Sequence, residues 1–282
     1  MRPQTFAAPV ERIKLLLQNQ GESAAAKAQG EYTGIMDIIR RVPQEQGVAS
    51  FWRGNLANCV RYFPTQALNF AFKERYKQFF KVPKDSAFAM RLGSNIASGG
   101  AAGATSLLVV YPLDFARTRL AVDVGSGKDR EFTGMVDCIM KTAKSAGWFK
   151  GGVYNGFTIS CVGIIAYRGV YFGIYDTVSP IIKQMGFWGK FALGYAVTTV
   201  AGLIAYPIDT IRRRMMMTSG ANAGKYKSSM HCARIIMSEE GVAAYFKGAG
   251  SNILRGLAGT LVLVGFDYMR DFYIDWKYGA EA

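Results

Sequence analysis

The stretch PVERIK at residues 9–14 returns twice in altered form, as PLDFAR at 112–117 and as PIDTIR at 207–212. The shared pattern is a proline, any residue, an acid, two further residues and a base. The three prolines lie about a hundred residues apart. Self-similarity at a fixed period indicates repeated structural units. The sequence of 282 residues therefore predicts three copies of one unit, which we place at 1–82, 83–184 and 185–282.

Weaker features follow each copy in the same order. An aromatic-containing tripeptide ends in glycine at Gly54, Gly156 and Gly248. Seven residues beyond those glycines lie Arg61, Gly163 and Arg255. An acid stands further along each copy, at Glu74, Asp176 and Asp267. Because several kinds of match occur in one order three times, we interpret the chain as a true internal triplication.

Each unit contains apolar stretches of membrane length, which requires about 20 residues. Residues 92–113 and 191–208 carry no charge. Residues 55–72, 151–175 and 248–266 carry one arginine each. The pattern predicts an all-α membrane protein, a six-helix bundle of three pseudo-symmetric two-helix repeats. Short amphipathic helices between the two helices of each repeat complete the prediction, as at residues 34–42.

Two details qualify this bundle. Eight residues precede Pro9, whereas about twenty apolar or polar uncharged residues precede each of the other two motif prolines. The first helix is therefore predicted to be shortened. Gly99 and Gly103 form a GxxxG pair, a spacing that lets a helix pack closely on a neighbour in membranes.

Composition excludes several other classes of protein. A net charge of +14 suggests a nucleic-acid binder when a chain is soluble, but the uncharged run 92–113 argues against that reading. The four cysteines show no CxxC pairing, and His231 is the single histidine, so a zinc site is not expected. The chain contains no P-loop, HExxH or GxSxG motif, and we do not expect an enzyme.

Three P-x-[DE]-x-x-[KR] copies at this period resemble the mitochondrial carrier family, and the resemblance covers essentially the whole chain. Within the family, RRRMMM at 212–217 and RYFPTQALNF at 61–70 are similar to the ADP/ATP carriers. The resemblance implies a multi-pass monomer of the mitochondrial inner membrane that exchanges ADP and ATP by alternating access. It also implies a central cavity, cardiolipin bound at Gly54, Gly156 and Gly248, and no cofactor. We call these three residues the motif glycines. The signature motif comprises Arg212, Arg213, Arg214, Met215, Met216 and Met217.

The charged residues of the three hexapeptides are predicted to form a matrix gate. An acid and a base three residues apart project to one side of a helix, so each base can reach the acid of the next repeat. The expected pairs are Lys14–Asp114, Arg117–Asp209 and Arg212–Glu11. Unpaired charges are costly beside membrane spans, which favours a closed ring over solvated surface pairs.

The family pattern implies a second ring, the cytoplasmic gate, formed when the carrier opens to the matrix. Its members here are Glu74, Lys77, Asp176, Asp267 and Arg270. Ser179 stands where the pattern has a base, which leaves the pairs Asp176–Arg270 and Asp267–Lys77. A ring with two pairs is predicted to be weak, and replacing Ser179 with Lys is expected to favour the matrix-open state.

Arginines at mid-membrane depth face a wet cavity or an anionic ligand, and their planar groups pair with phosphate oxygens. Arg61 and Arg255 occupy equivalent positions and are predicted to hold the phosphates at one level. The resemblance implies that Gly163, Ile164 and Tyr167 form the adenine side, with packing alone as the alternative for Ile164 and Tyr167. Asn69 and Arg168 are candidate secondary contacts.

The signature arginines Arg213 and Arg214 are expected to contact phosphate or lipid headgroups at the matrix end, and the following methionines to pack in the protein. One departure concerns Gln4, which stands where the ADP/ATP carriers have a lysine. Two other functional hypotheses stay open at this point. The chain could carry another phosphorylated metabolite or leak protons, or it could be a non-transporting carrier with a structural role.

Overall fold

The computed structural model describes residues 2–22, 30–83, 87–123, 131–149, 151–184, 187–220, 223–257 and 269. Helices account for most of this part of the chain, and it contains no β-strand. The nine helices described are α1 (Arg2–Asn19), α2 (Ile35–Gln46), α3 (Asn55–Phe79), α4 (Phe88–Val122), α5 (Met135–Ala146), α6 (Phe157–Gln184), α7 (Phe187–Met217), α8 (Ser229–Glu239) and α9 (249–257). Short 3-10 turns occupy Gln20–Glu22, Val48–Trp52 and Val242–Phe246. The all-α prediction is confirmed.

Three of these helices are long and apolar enough to cross a membrane, at Ala89–Val122, Phe157–Tyr175 and Phe191–Met217. Helix α3 is also long enough, with 25 residues, but its asparagines, glutamines and charged side chains make it less apolar. Helix α1 has 18 residues and contains Pro9. The second half of the last predicted span lies outside the described residues.

The three motif prolines lie inside the long helices α1, α4 and α7, at Pro9, Pro112 and Pro207. A proline inside a helix removes one backbone hydrogen bond and bends the helix. The charged residues of each motif follow the proline and lie together at one end of the bundle. We call this end, with the residues of the three hexapeptides, the motif end.

The protein core is also at the motif end. At one equivalent position, each of the amphipathic helices α2, α5 and α8 has a side chain that is completely buried: Ile38, Cys138 and Cys232. These side chains belong to three separate apolar clusters, one for each repeat. Away from the motif end the spans bury less, because their side chains face the cavity or the outside of the bundle.

The motif glycines before α3, α6 and α9 have φ angles of 78°, 84° and 86°, in the left-handed region that favours glycine. Each also lies against the backbone of the next repeat. A Cβ atom on the glycine would lie 3.0–3.1 Å from the carbonyl oxygen of that repeat's motif base. The pairs are Gly54 with Arg117, Gly156 with Arg212 and Gly248 with Lys14. These glycines therefore allow the start of each second helix to pack on the neighbouring repeat's motif helix.

Candidate substrate site and gate

A cavity of about 640 Å³ lies between α1, α3, α4, α6, α7 and α9. Six of the seven predicted substrate residues line it: Arg61, Asn69, Gly163, Ile164, Tyr167 and Arg168. Five of the six residues predicted for the matrix gate also line it, at its motif end: Lys14, Asp114, Arg117, Asp209 and Arg212. The structure thus brings together, around one cavity, residues that lie about two hundred positions apart in the sequence.

The hexapeptide charges form a ring of three ion pairs, but the predicted direction of pairing is wrong. Each base reaches the acid of the preceding repeat, not of the next one. The pairs are Lys14–Asp209 at 3.0 Å, Arg117–Glu11 and Arg212–Asp114. All six side chains are at most a quarter exposed, so the ring closes the cavity floor with paired charges.

The physical reason for this correction is the geometry of the helix. Residues three apart point to nearly the same side of a helix, with the acid displaced to one flank and the base to the other. Either flank can face the next repeat, depending on the order in which the repeats are arranged around the axis. The spacing in the sequence is the same for both arrangements, so it cannot select one.

Each acid of the ring has a second cation beside it. Arg61 Nε lies 3.7 Å from Asp114, and Arg255 Nη1 lies 4.0 Å from Glu11. In repeat 2 the equivalent residue is Gly163, and the third acid, Asp209, has Arg213 at 3.4 Å instead. Six cationic side chains therefore surround three carboxylates, an excess of three positive charges.

The contacts of Arg61 and Arg255 place both guanidinium groups at the level of the ring. Arg255 is not among the residues that line the cavity, and its side chain is 44% exposed. It donates a hydrogen bond to Asn252, which does line the cavity. The Nε atom of Arg61 is buried without a hydrogen-bond partner among the described residues. Both arginines thus have N–H donors that form only a long hydrogen bond, or none, within the described part of the protein.

Two asparagines that sequence reasoning missed connect these arginines to the ring. Asn58 accepts from Arg61 at 3.3 Å and donates to Glu11 at 3.2 Å. Asn252 accepts from Arg255 at 3.4 Å and from Lys14 at 3.3 Å. The pattern N-x-x-R occurs at the same place in repeats 1 and 3, so a comparison of the repeats would have found both residues.

A third missed residue is Gln18, one turn beyond Lys14 on α1. Its amide group donates to Thr210 at 2.9 Å and lies 3.4 Å from Asp209. The side chain is fully buried. Gln18 therefore adds a neutral hydrogen-bonded contact between repeats 1 and 3 directly behind the Lys14–Asp209 pair.

The expectation for Arg214 is wrong. Its side chain is only 2% exposed, and it pairs with Glu240 through both terminal nitrogens, with Glu22 at 3.6 Å. A group enclosed in this way cannot reach a lipid headgroup. Two acids that lie far away in the sequence compensate its charge, and their positions could not be inferred from the motif itself.

Arg213 lines the cavity and donates to Thr118 of repeat 2 at 3.0 Å. The three methionines that follow Arg214 are at most 7% exposed, and Met216 belongs to the apolar cluster of repeat 2. The six signature residues therefore combine a ring base, a cavity cation, a buried structural arginine and three core residues.

An aromatic row on α6 begins in the cavity wall, where Tyr167 and Tyr171 line the cavity. Tyr167 stacks on Tyr171 with ring centroids 6.1 Å apart, and Tyr171 stacks on Tyr175 at 5.8 Å. Gly163 lies one turn before Tyr167, and a Cβ atom there would lie 3.1 Å from Ile208 Cγ2. This flat, largely apolar face differs sharply from the charged floor, as an amphiphilic ligand with a planar ring would require.

The residues predicted for the cytoplasmic gate are only partly described. Glu74 and Lys77 on α3 are exposed and form no ion pair with another described residue. Asp267 and Arg270 lie outside the described residues, as do the side chains of Asp176, Ser179 and Gln4. The second ring stays a prediction.

A second, smaller cavity of about 260 Å³ lies beside one of the three motif glycines, Gly248. It is lined from repeat 1 by Leu17, Gln20, Tyr32, Thr33, Gly34 and Ile35, and from repeat 3 by Lys247, Gly248, Gly250 and Ser251. The Oγ atom of Ser251 is buried and has no hydrogen-bond partner within the described part of the chain. No group of metal-binding side chains occurs among the residues that were described.

Comparison with known proteins agrees with the triplication. The family model "Mitochondrial carrier protein" matches residues 2–84, 89–186 and 183–276. The chain is 54% identical over 274 residues to ADP/ATP translocase 4 of Mus musculus, an alignment that covers 95% of this chain and 85% of the relative. It is 54% identical over 274 residues to ADP/ATP translocase 3 of Bos taurus, covering 94% and 91%.

A plant relative is similar to the same degree. The mitochondrial ADP,ATP carrier protein of Oryza sativa subsp. japonica is 53% identical over 285 residues, which is 98% of this chain and 74% of the relative. The three family matches together span nearly the whole chain. The chain therefore belongs to the mitochondrial carrier family.

Proposed function

We propose that this chain is an antiporter that exchanges cytosolic ADP for matrix ATP across the mitochondrial inner membrane. The observation that carries the proposal is the charged ring at the floor of the cavity, where six cationic side chains, five of which line the cavity, surround three carboxylates. An excess of positive charge in an enclosed polar site favours a polyanion, and guanidinium groups match phosphate oxygens. The relatives named for ADP and ATP support this choice among phosphorylated ligands.

The same contacts couple binding to opening of the ring. Arg61 and Arg255 lie at 3.7 and 4.0 Å from ring acids, at the outer limit of an ion pair. A phosphate group that approaches these arginines competes with Asp114 and Glu11 for them. Each acid then loses its second cation, and the ring is held by its three primary pairs alone. Substrate binding therefore lowers the cost of separating the repeats at the motif end.

The aromatic face completes the site. The tyrosine row on α6 and the side chain of Ile164 offer stacking and apolar contact to a base, while the charged floor holds the phosphates. A ligand with only phosphate would leave this face empty. The proposed orientation has the adenine against α6 and the phosphates between α3 and α9.

In this proposal the motif end faces the matrix, and the described conformation is closed on that side. The exposed, unpaired Glu74 and Lys77 agree with an open second gate. ATP carries one more negative charge than ADP, so each exchange moves one net charge and the membrane potential drives it. Repeats that move against one another around a central site provide the alternating access.

Cardiolipin is the proposed bound lipid. At the smaller cavity, the start of α2 and the start of α9 both present backbone N–H groups, a common arrangement for phosphate binding. Lys247, which also pairs with Glu240 at 3.1 Å, lines this cavity, and Ser251 supplies a hydroxyl without another partner in the described chain. Gly54 and Gly156 are proposed to form the two equivalent sites.

The function can be tested by reconstituting the protein in cardiolipin-containing vesicles loaded with ATP. We expect uptake of labelled ADP only when exchangeable nucleotide is inside, and faster uptake when a potential is imposed across the membrane. Vesicles loaded with AMP or inorganic phosphate serve as controls. Uptake without internal nucleotide, or uptake that is indifferent to the potential, would contradict electrogenic antiport. The same assay without cardiolipin tests the lipid proposal separately.

A further inference from the structure

Two glycines on α4, Gly99 and Gly103, lie unusually close to two predicted substrate-binding side chains of α6. A Cβ atom on Gly99 would overlap the terminal Nη1 atom of Arg168 and lie 3.2 Å from its Cδ and Cζ atoms. A Cβ atom on Gly103 would lie 2.9 Å from Cγ2 of Ile164. Both glycines are buried. The atoms that an added Cβ atom would meet belong to side chains that line the cavity, not to the backbone of the neighbouring helix.

The two contacts follow one register. Gly99 and Gly103 are one turn apart on α4, and Ile164 and Arg168 are one turn apart on α6. The helices run in opposite directions, so that the first glycine meets the second of the two side chains. Residues four apart lie on one face of a helix. One face of α4 therefore supports one face of α6, exactly where α6 contributes to the cavity wall.

The Arg168 side chain lies in the hollow that Gly99 leaves. No hydrogen bond or ion pair connects its guanidinium group with another described residue, although Arg168 lines the cavity. An arginine at this depth needs an anionic or polar partner, which the described protein does not supply. Its donors are thus free for a ligand, and the hollow at Gly99 determines where they lie.

We propose that Gly99 and Gly103 are positioning residues of the substrate site. Gly99 sets the place of the Arg168 guanidinium, and Gly103 sets the place of Ile164. This inference rests on the proposed function, since it assumes that both side chains contact the transported nucleotide. It differs from the usual role of a GxxxG pair, which is close approach of two helix backbones.

The direct test is Gly99→Ala, measured as ADP exchange in vesicles. The added methyl group must displace the guanidinium, so the KM for ADP is expected to rise about threefold to tenfold while kcat changes less. Gly100→Ala is the matched control. A Cβ atom on Gly100 would lie 3.1 Å from Cγ1 of Ile165, which is not part of the cavity lining, so this variant disturbs the same helix contact without touching the site. Its KM is expected to stay within about twofold of the original.

A double-mutant cycle separates positioning from packing. Arg168→Ala should raise the KM by itself, and adding Gly99→Ala to it should change the KM no further. If Gly99→Ala alone does not fold, the double variant should fold again, because the overlapping group has been removed. An additional rise of KM in the double variant, an unchanged KM in Gly99→Ala, or equal effects of Gly99→Ala and Gly100→Ala would overturn the inference.

These outcomes are distinct from a failure of the proposed function. If the unmodified protein does not exchange ADP, the function itself is wrong, and this inference fails with it. If the unmodified protein exchanges ADP and Gly99→Ala leaves its KM unaltered, only the positioning role is lost. Thermal unfolding of each variant in detergent shows whether a changed KM accompanies a changed stability.

Discussion

The charged ring at the motif end and the arginines beside it use similar side chains in opposite ways. In the ring, each base meets a carboxylate of another repeat directly, as in the 3.0 Å pair of Lys14 with Asp209. Beside it, Arg61 and Arg255 lie 3.7 and 4.0 Å from their acids, and Arg168 has no ion pair within the described chain. Cations that the protein pairs fully hold the repeats together. Cations that it pairs poorly are available to a ligand.

The largest effect is expected at the arginines beside the ring. Arg61→Ala should lower kcat/KM for ADP by about a hundredfold or more, because a charge-assisted contact with phosphate is lost. Its stability should change little, since Asp114 retains Arg212. Exchange kinetics and thermal unfolding measure the two quantities. Arg75→Ala, an exposed arginine near the other end of α3, is the control and should leave exchange unaltered. A large loss of stability in Arg61→Ala with normal exchange would invert the comparison.

Reversing the charge of one ring residue should have the next largest effect, and it tests the direction of pairing. Glu11→Arg places two positive groups together at the cavity floor and should lower exchange by about tenfold and destabilise the protein by roughly 3 kcal/mol. Adding Arg117→Glu should recover part of both. Adding Arg212→Glu should not, because Arg212 pairs with Asp114. If Arg212→Glu, and not Arg117→Glu, recovers the function of the Glu11→Arg variant, then Arg212 pairs with Glu11, as expected from the sequence.

The smallest effect concerns the pair of Arg214 and Glu240, which belongs neither to the ring nor to the arginines beside it. Hydrogen bonds from Arg214 hold the pKa of Glu240 at about 2, below its ordinary 4.5. A lowered pKa means that the folded protein favours the ionised form, so this stabilisation is complete above pH 4.5 and is lost as the pH falls toward 2. Glu240→Gln should lower the melting temperature by about 2–4 °C at pH 7.

The pH dependence provides the check on that pair. The difference in melting temperature between the two proteins should stay constant from pH 7 to pH 5.5 and shrink below pH 4.5. Exchange by Glu240→Gln above pH 5.5 should equal that of the unmodified protein, because Glu240 contacts neither the ring nor the lining of the larger cavity. A difference that grows on acidification would show that Glu240 is not stabilised as the carboxylate.

Much of the site could be read from the repeats. Comparison of equivalent positions identified Arg61, Arg255 and Gly163, and period and apolar length predicted the helices. The missed residues Asn58 and Asn252 carry the same kind of evidence, a pattern repeated in two copies. Gln18 does not, because a glutamine on a helix has no characteristic spacing that distinguishes a contact between repeats from a solvated side chain.

Other features could not be obtained in this way. The burial of Arg214 depends on Glu22 and Glu240, which approach it from two different repeats. The role of Gly99 depends on which residue of α6 lies opposite, and the GxxxG spacing says nothing about that. In each case the partner lies on a different helix, at a distance along the chain that no local pattern encodes.

By itself the sequence determined that three similar helical units carry acids, bases and mid-span arginines at equivalent places. It did so because period, apolar length and charge spacing are properties of one chain segment at a time. The tertiary structure alone decided which base meets which acid, which arginine is enclosed, and which glycine supports a substrate side chain. Those outcomes depend on the rotational order and register of packed helices, and two opposite orders share the same spacing along the chain.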